Sequence, residues 1–254
     1  MISAWLTAAV LLAPVVTGID HVPIAVNDLE RAAADYRRLG FILKPGRPHD
    51  NGIRNLHAKF ADGTELELIT VPAGRDALTT TYRRHLAAGD GPAFLALYAP
   101  STVPAPGTGV PPYVFFGPRN RSPTDRPEYF AHPNTAESLV SVWLAGTDLA
   151  GERRLLSAVG ATLEPQKAFV PDPVRATVAH LPEGEILLLH ASRRLVEGRP
   201  IVGATLRVRR LDAARRALVR SGVAIRETPA VPRSVFIPPE AAHGLWLELR
   251  EASP

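Results

Sequence analysis

Two residues that could do chemistry face each other across a short turn. His57 and Glu67 flank the segment Ala61-Asp62-Gly63, with alternating residues over 55–60 on one side and 64–69 on the other. This reads as a β-hairpin. A three-residue loop closing on glycine suits a type I turn with a glycine bulge, which pairs Phe60 with Thr64. That register sets Lys59 opposite Glu65, Ala58 opposite Leu66 and His57 opposite Glu67. Opposite charges meet and apolar residues share a face, whereas a two-residue turn would mix them. An imidazole beside a carboxylate can share a proton or a metal ion. Arg47, His49, Asn51 and Asn55 lie in the loop and strand leading into the hairpin. They could bind an anionic or carbonyl-bearing molecule, or form a solvated loop.

The elements that must position these residues are readable around them. Residues 19–26 alternate, with His21 on one face and Asp20, Val22, Ile24 and Val26 on the other, which reads as a strand. Asn27 or Asp28 can cap a helix whose apolar stripe is Leu29, Ala32, Ala33, Tyr36 and Leu39, and Gly40 suits its stop. Residues 41–43 start a second strand closed by Pro45-Gly46. The stretch 18–70 is thus strand, helix and three strands.

Composition narrows the classes. The chain has 254 residues, 46% hydrophobic, with a formal net charge of +4, enough apolar content for a sizeable core. The only lysines are Lys44, Lys59 and Lys167, and the arginines are dispersed. No basic block interleaved with aromatics marks a nucleic-acid surface. The absence of cysteine excludes disulfides, thiol catalysis and Cys-ligated zinc. No phosphate-binding loop, GxSxG or HExxH motif occurs, and Gly107-Thr108-Gly109 is flanked by proline with no helix after it, so no nucleotide cofactor is expected. Residues 1–17 are mostly apolar. They are too short for the ~20 residues of a membrane span, and read as a signal peptide, implying an exported or periplasmic protein, or as an N-terminal apolar helix, implying a cytoplasmic one.

Beyond residue 70 a helix is expected over 76–88, strands over 93–98 and 113–116, and a domain boundary near 132–137. The opening pattern then returns. Residues 141–163, SVWLAGTDLAGERRLLSAVGATL, align without a gap on 21–43, and residues 203–225 align on the same spacing. Each is followed by a late strand, 185–190 and 245–249. Glu67 in GTELEL matches Glu248 in GLWLEL, and Leu188 stands at that position in the third unit. Residues 73–131 read as a degraded copy.

A repeated βαβββ unit that opens DHVPIAVNDLERAAADYRRLGF and closes DGTELELIT resembles the vicinal oxygen chelate superfamily, specifically its glyoxalase-like domain proteins. The resemblance implies an α+β fold of tandem βαβββ modules, paired into curved mixed sheets that enclose a cavity. It implies a first domain over 18–131, with modules 18–72 and 73–131, and a second over 138–251, with modules 138–192 and 199–251. Family members place a His on the first strand and a Glu on the last strand of a unit as metal ligands. Carried over, these are His21 and Glu67, with His57 joining them from the hairpin, in a site for iron, manganese or zinc. The degraded unit offers Glu128 and His132 as completing catalytic groups.

Departures accompany the resemblance. Ser141 and Gly203 occupy the positions equivalent to His21, and neither is a good ligand. Of the second domain's ligand positions only Glu248 remains, with His243 nearby in sequence. The four-ligand pattern of a glyoxalase I reaction is not visible. Two functions are carried forward. One is a metal-dependent lyase, isomerase or dioxygenase acting on a small oxygenated molecule. The other is a non-catalytic module that sequesters a small molecule without metal.

Overall fold

A computed structural model describes residues 16–101 and 109–252. Nearly all of the apolar segment 1–17, with its signal-peptide and helix readings, lies outside the described residues. Among the described residues no helix is long and apolar enough to cross a membrane.

Among the described residues, two seven-stranded mixed sheets carry four α-helices. The first sheet contains β1 (Gly18–Ala25), β2 (Lys44–Pro45), β3 (Arg54–Lys59), β4 (Glu65–Thr70), β5 (Gly91–Pro92), β6 (Leu95–Tyr98) and β7 (Val114–Gly117). Its order is β2-β3-β4-β1-β6-β7, with β5 also on β1. Helix α1 (Leu29–Arg38) connects β1 to β2, and α2 (Ala77–Leu86) follows β4. The second sheet contains β8 (Ala136–Gly146), β9 (Thr162–Phe169), β10 (Pro173–Leu181), β11 (Gly184–His190), β12 (Ile201–Val208), β13 (Ser234–Ile237) and β14 (Trp246–Glu251). Its order is β13-β14-β12-β8-β11-β10-β9, and α3 (Ala150–Ala158) and α4 (Leu211–Arg220) follow β8 and β12.

The hairpin forms in the expected register: Lys59 lies opposite Glu65, Ala58 opposite Leu66 and His57 opposite Glu67. Gly63 takes φ +93°. Helix α1 begins at Asp28, whose carboxylate accepts the Arg31 amide at 3.0 Å, and it buries Leu29, Ala32, Ala33 and Tyr36. One buried cluster runs from α1 and the first sheet through Leu139, Val142 and Leu188 to α3 and α4, so both sheets share a core.

Two expectations are corrected. The second strand is not 41–43 but the two-residue β2, because Phe41 and Leu43 turn into the core. In 73–131 the helix and the two strands follow in the expected order, and β6 and β7 pair parallel, as a module's first and last strands do. In the third unit the position equivalent to Glu67 is Leu187, not Leu188: His21 pairs with Glu65 and Pro23 with Glu67, while Ser141 pairs with Glu185 and Trp143 with Leu187. Glu248 does occupy the equivalent place, opposite Thr205.

Gly40 stops α1 at φ +86°, and a Cβ there would lie 2.9 Å from Cβ of Asn134. Both the left-handed backbone and the contact oppose any side chain. Gly40→Ala should lower unfolding stability by about 1–3 kcal/mol, read by urea titration. An unchanged midpoint would show that this junction yields without cost.

Candidate functional site

The curved face of the first sheet is polar because alternate residues of three neighbouring strands bring ionisable groups to it. Strand β3 contributes Asn55, His57 and Lys59, β4 contributes Glu65 and Glu67, and β1 contributes His21. A cleft of about 660 Å³ opens over this face. Its rim is formed by Arg47 and His49 from the loop after β2 and by Arg121 and its neighbours from the loop after β7.

His21 is aimed by a β-bulge. The β1–β6 register slips between Ile19 and His21, so Asp20 is an extra residue without a partner on β6. Simple alternation placed Asp20 on the packing face. The bulge brings it round to His21 instead, with its carboxylate 2.6 Å from Nδ1 of the imidazole. Nε2 then points at Glu67, 3.6 Å from Oε2. Asn55 donates to the other oxygen of Glu67 at 2.5 Å. Burial alone would lower the His21 pKa. The Asp20 hydrogen bond and the charges of Glu67 and Glu65 outweigh it, and the pKa is raised.

His57 lies opposite Glu67 in the ladder, but its ring turns to the diagonal neighbour. Nδ1 is 3.0 Å from Oε1 of Glu65, which also accepts from the Asn120 side chain at 2.7 Å. Glu65 is fully buried. Its other oxygen lies 3.4 Å from Lys59, which is 3.0 Å from Asp125, and Asp125 lies 2.5 Å from Lys44. A chain of alternating charge thus underlies the cleft. Beside it, burial and the charge of Glu67 push the Tyr82 hydroxyl well above its ordinary pKa, so it stays neutral.

Comparison with known proteins adds to this geometry. Residues 19–103 match the family model described as a glyoxalase-like domain. No characterised protein sequence matches the chain. Among solved structures, a 4-hydroxymandelate synthase variant from Streptomyces coelicolor superposes with a TM-score of 0.64 at 14% identity, covering 94% of this chain and 93% of that one. The 2,3-dioxygenase LapB from Pseudomonas sp. KL28 superposes with a TM-score of 0.62 at 11% identity, covering 95% and 94%. A xylose isomerase-like TIM barrel/4-hydroxyphenylpyruvate dioxygenase fusion protein superposes with a TM-score of 0.61 at 11% identity, covering 96% of this chain. The chain spans half the length of that fusion protein. This is a vicinal oxygen chelate fold with a glyoxalase-like stretch at its start.

Within this fold the residues can be tested against a divalent metal. Among the described residues no group of three His, Cys, Asp or Glu side chains is arranged to hold one. Two donors do fit. Nε2 of His21 and Oε2 of Glu67 face each other, and each is braced on its far side, by Asp20 and by Asn55. Three carboxylates, Asp20, Glu65 and Glu67, act on His21, which favours a cation there. His57 is held on Glu65 through Nδ1 and is not grouped with these two donors.

The other expected residues divide. Arg47, His49 and Asn55 line the cleft. Asn51 does not. Its side chain donates to Asp76 at 2.9 Å, bracing the cap of α2. Glu128 sits in a 3₁₀ turn, largely exposed and 3.8 Å from Arg126, outside the cleft lining. His132 is a buried brace: Nδ1 accepts the Ile42 amide at 3.0 Å and Nε2 meets the Lys59 carbonyl at 2.8 Å, between the Phe41 and Phe60 rings. Both of its nitrogens are occupied, and burial lowers its pKa.

Sequence reasoning missed Asp20, Lys44, Lys59, Glu65, Asn120 and Asp125 as parts of the site. Lys59 and Glu65 were within reach, since each is two residues from His57 or Glu67 and shares its face. Asn120 and Asp125 carry no such signal, because only tertiary packing brings their loop over the sheet.

His21 holds its proton above its ordinary pKa of 6.5. Its contribution to stability is therefore complete below about pH 6.5 and fades as pH rises through the raised value. In metal-free protein, Asp20→Asn should lower the His21 pKa in an NMR titration of the imidazole and flatten that decline. An unaltered titration would show that Asp20 does not brace the ring.

Proposed function

We propose that the cleft binds a small oxygenated molecule at a divalent cation, iron, manganese or zinc, held by His21 and Glu67, for lyase, isomerase or dioxygenase chemistry. The observation that carries this reading is the apposition of the two donors at 3.6 Å, each braced from behind, on the floor of a polar cleft. A bound cation would polarise vicinal oxygens and stabilise negative charge developing on them.

The chain's own residues do the rest. Asp20 fixes the tautomer and direction of the His21 ring. Asn55 holds one Glu67 oxygen so that the other faces inward. Glu65 orients His57 through Nδ1, which leaves Nε2 without a protein partner among the described residues and able to take or return a proton at the substrate. The Lys59–Asp125–Lys44 chain keeps the wall rigid and supplies positive charge. In this reading the sheets correspond to two glyoxalase-like domains, 18–131 and 138–251, with the chemistry in the first.

One observation favours a second reading, a binding module that sequesters its ligand without metal: no third metal donor converges among the described residues. The two separate by elemental analysis of purified protein and of His21→Ala and Glu67→Ala variants. The metal reading expects near-stoichiometric iron, manganese or zinc in the wild type, lost in both variants. Protein that carries no metal and takes up none on supplementation leaves the sequestering module.

A further inference from the structure

We propose that Asn120 is a positioning residue: its side-chain amide fixes the Glu65 carboxylate and thereby sets which nitrogen of His57 carries the proton. The inference deepens the reading of the cleft given above and rests on it, since it concerns the group placed there for proton transfer. Three hydrogen bonds hold Asn120, on the loop after β7, against the sheet. Its backbone N–H donates to Oδ1 of Asp20 at 3.3 Å, its carbonyl accepts from Lys59, and its side-chain amide donates to Oε1 of Glu65 at 2.7 Å. Asp20 and Glu65 are the carboxylates behind His21 and His57. One residue, itself part of the cleft lining, therefore touches the braces of both imidazoles.

Glu65 depends on this contact more than Asp20 does. Both hydrogen bonds to its carboxylate fall on Oε1, from Asn120 and from Nδ1 of His57 at 3.0 Å. Oε2 is buried with no hydrogen-bond partner among the described residues and lies 3.4 Å from Nζ of Lys59. A turn of the carboxylate would gain a charge-assisted bond to Lys59 at the expense of His57. The Asn120 amide, pinned from the loop side, holds Oε1 where it is and prevents that turn. An ionised carboxylate only accepts, so Nδ1 of His57 carries the proton and Nε2 keeps its lone pair. Asp20 has a further support, because Arg119 stands 3.9 Å from the same Oδ1 that accepts the Asn120 amide. The Asn120 side chain is therefore specific to His57.

Long-range proton–nitrogen NMR of metal-free, isotope-labelled protein shows which imidazole nitrogen bears the proton. At about pH 8.5, well above the ordinary histidine pKa of about 6.5, His57 is expected with its proton on Nδ1, its signals assigned by their loss in His57→Gln. Asn120→Ala should abolish that pattern and make the Nε2–H form, which an unrestrained imidazole prefers, the main one. Asn120→Leu, which keeps the bulk of the side chain and removes its donor, should do the same and so separates hydrogen bonding from packing. Arg126→Ala, an exposed change further along the same connection, should leave the His57 pattern intact. A wild type with the His57 proton on Nε2, an Nδ1–H pattern that survives both Asn120 substitutions, or its equal loss in Arg126→Ala would overturn the assignment. Because no metal is present in the measurement, protein that fails the elemental analysis but shows these changes loses the cation and keeps the role of Asn120.

Discussion

Glu65 has no contact with water, and the curved face of the first sheet is built around the need to answer its charge. A lone buried carboxylate would cost several kcal/mol. Burial alone would raise the Glu65 pKa, but the His57 hydrogen bond and the charges of His57, His21 and Lys59 reverse that and lower it. Each answer creates a further demand. Lys59 is itself buried and needs Asp125, and Asp125 draws in Lys44. His57 turns its Nδ1 to Glu65 and makes no hydrogen bond to Glu67. Glu67 is left to Asn55 and His21, and so becomes the group free to meet a ligand.

The second sheet shows what the same topology does without that demand. Its curved face buries Trp143, Leu187, Leu189, Val202 and Phe236. Trp143 lies over Gly203, where a Cβ would come within 2.2 Å of the indole ring. The surviving carboxylate, Glu248, is enclosed and accepts from the hydroxyls of Thr205 at 2.7 Å and Ser234 at 2.5 Å. The matched β1–β4 and β8–β11 registers therefore support a polar, charged face in one sheet and a mainly apolar face in the other.

The two sheets are also fastened to each other around the site. Arg119 reaches the Ile19 carbonyl at the bulge and the Glu183 carboxylate from the β10–β11 turn, with its guanidinium 4.3 Å over the Tyr98 ring. Arg199 donates to carbonyls at the end of α2, and His243 lies between Asp90 at 2.8 Å and Asp35 at 3.2 Å. The second sheet thus holds the bulge that aims His21, although it contributes no residue to the cleft lining.

What the sequence determined by itself is what short-range rules govern. The α1 stripe, its Asp28 cap and Gly40 stop, the register of the hairpin and the return of the pattern at 141 and 203 all follow from periodicity and turn chemistry over a few residues. The cleft position of Arg47, His49 and Asn55 followed from their place beside the hairpin. Tertiary structure decided the rest, because it turned on competition between partners distant in the chain. Alternation cannot show the bulge that swings Asp20 to His21, since the slip is against β6, some seventy-five residues later by numbering. The register put His57 opposite Glu67, but the choice of Glu65 as its partner depended on which carboxylate was buried and which loop carried Asn120. His132 looked available for chemistry as a sequence letter. Packing between Phe41 and Phe60 placed both its nitrogens on backbone groups, and only the fold could show that they were already in use.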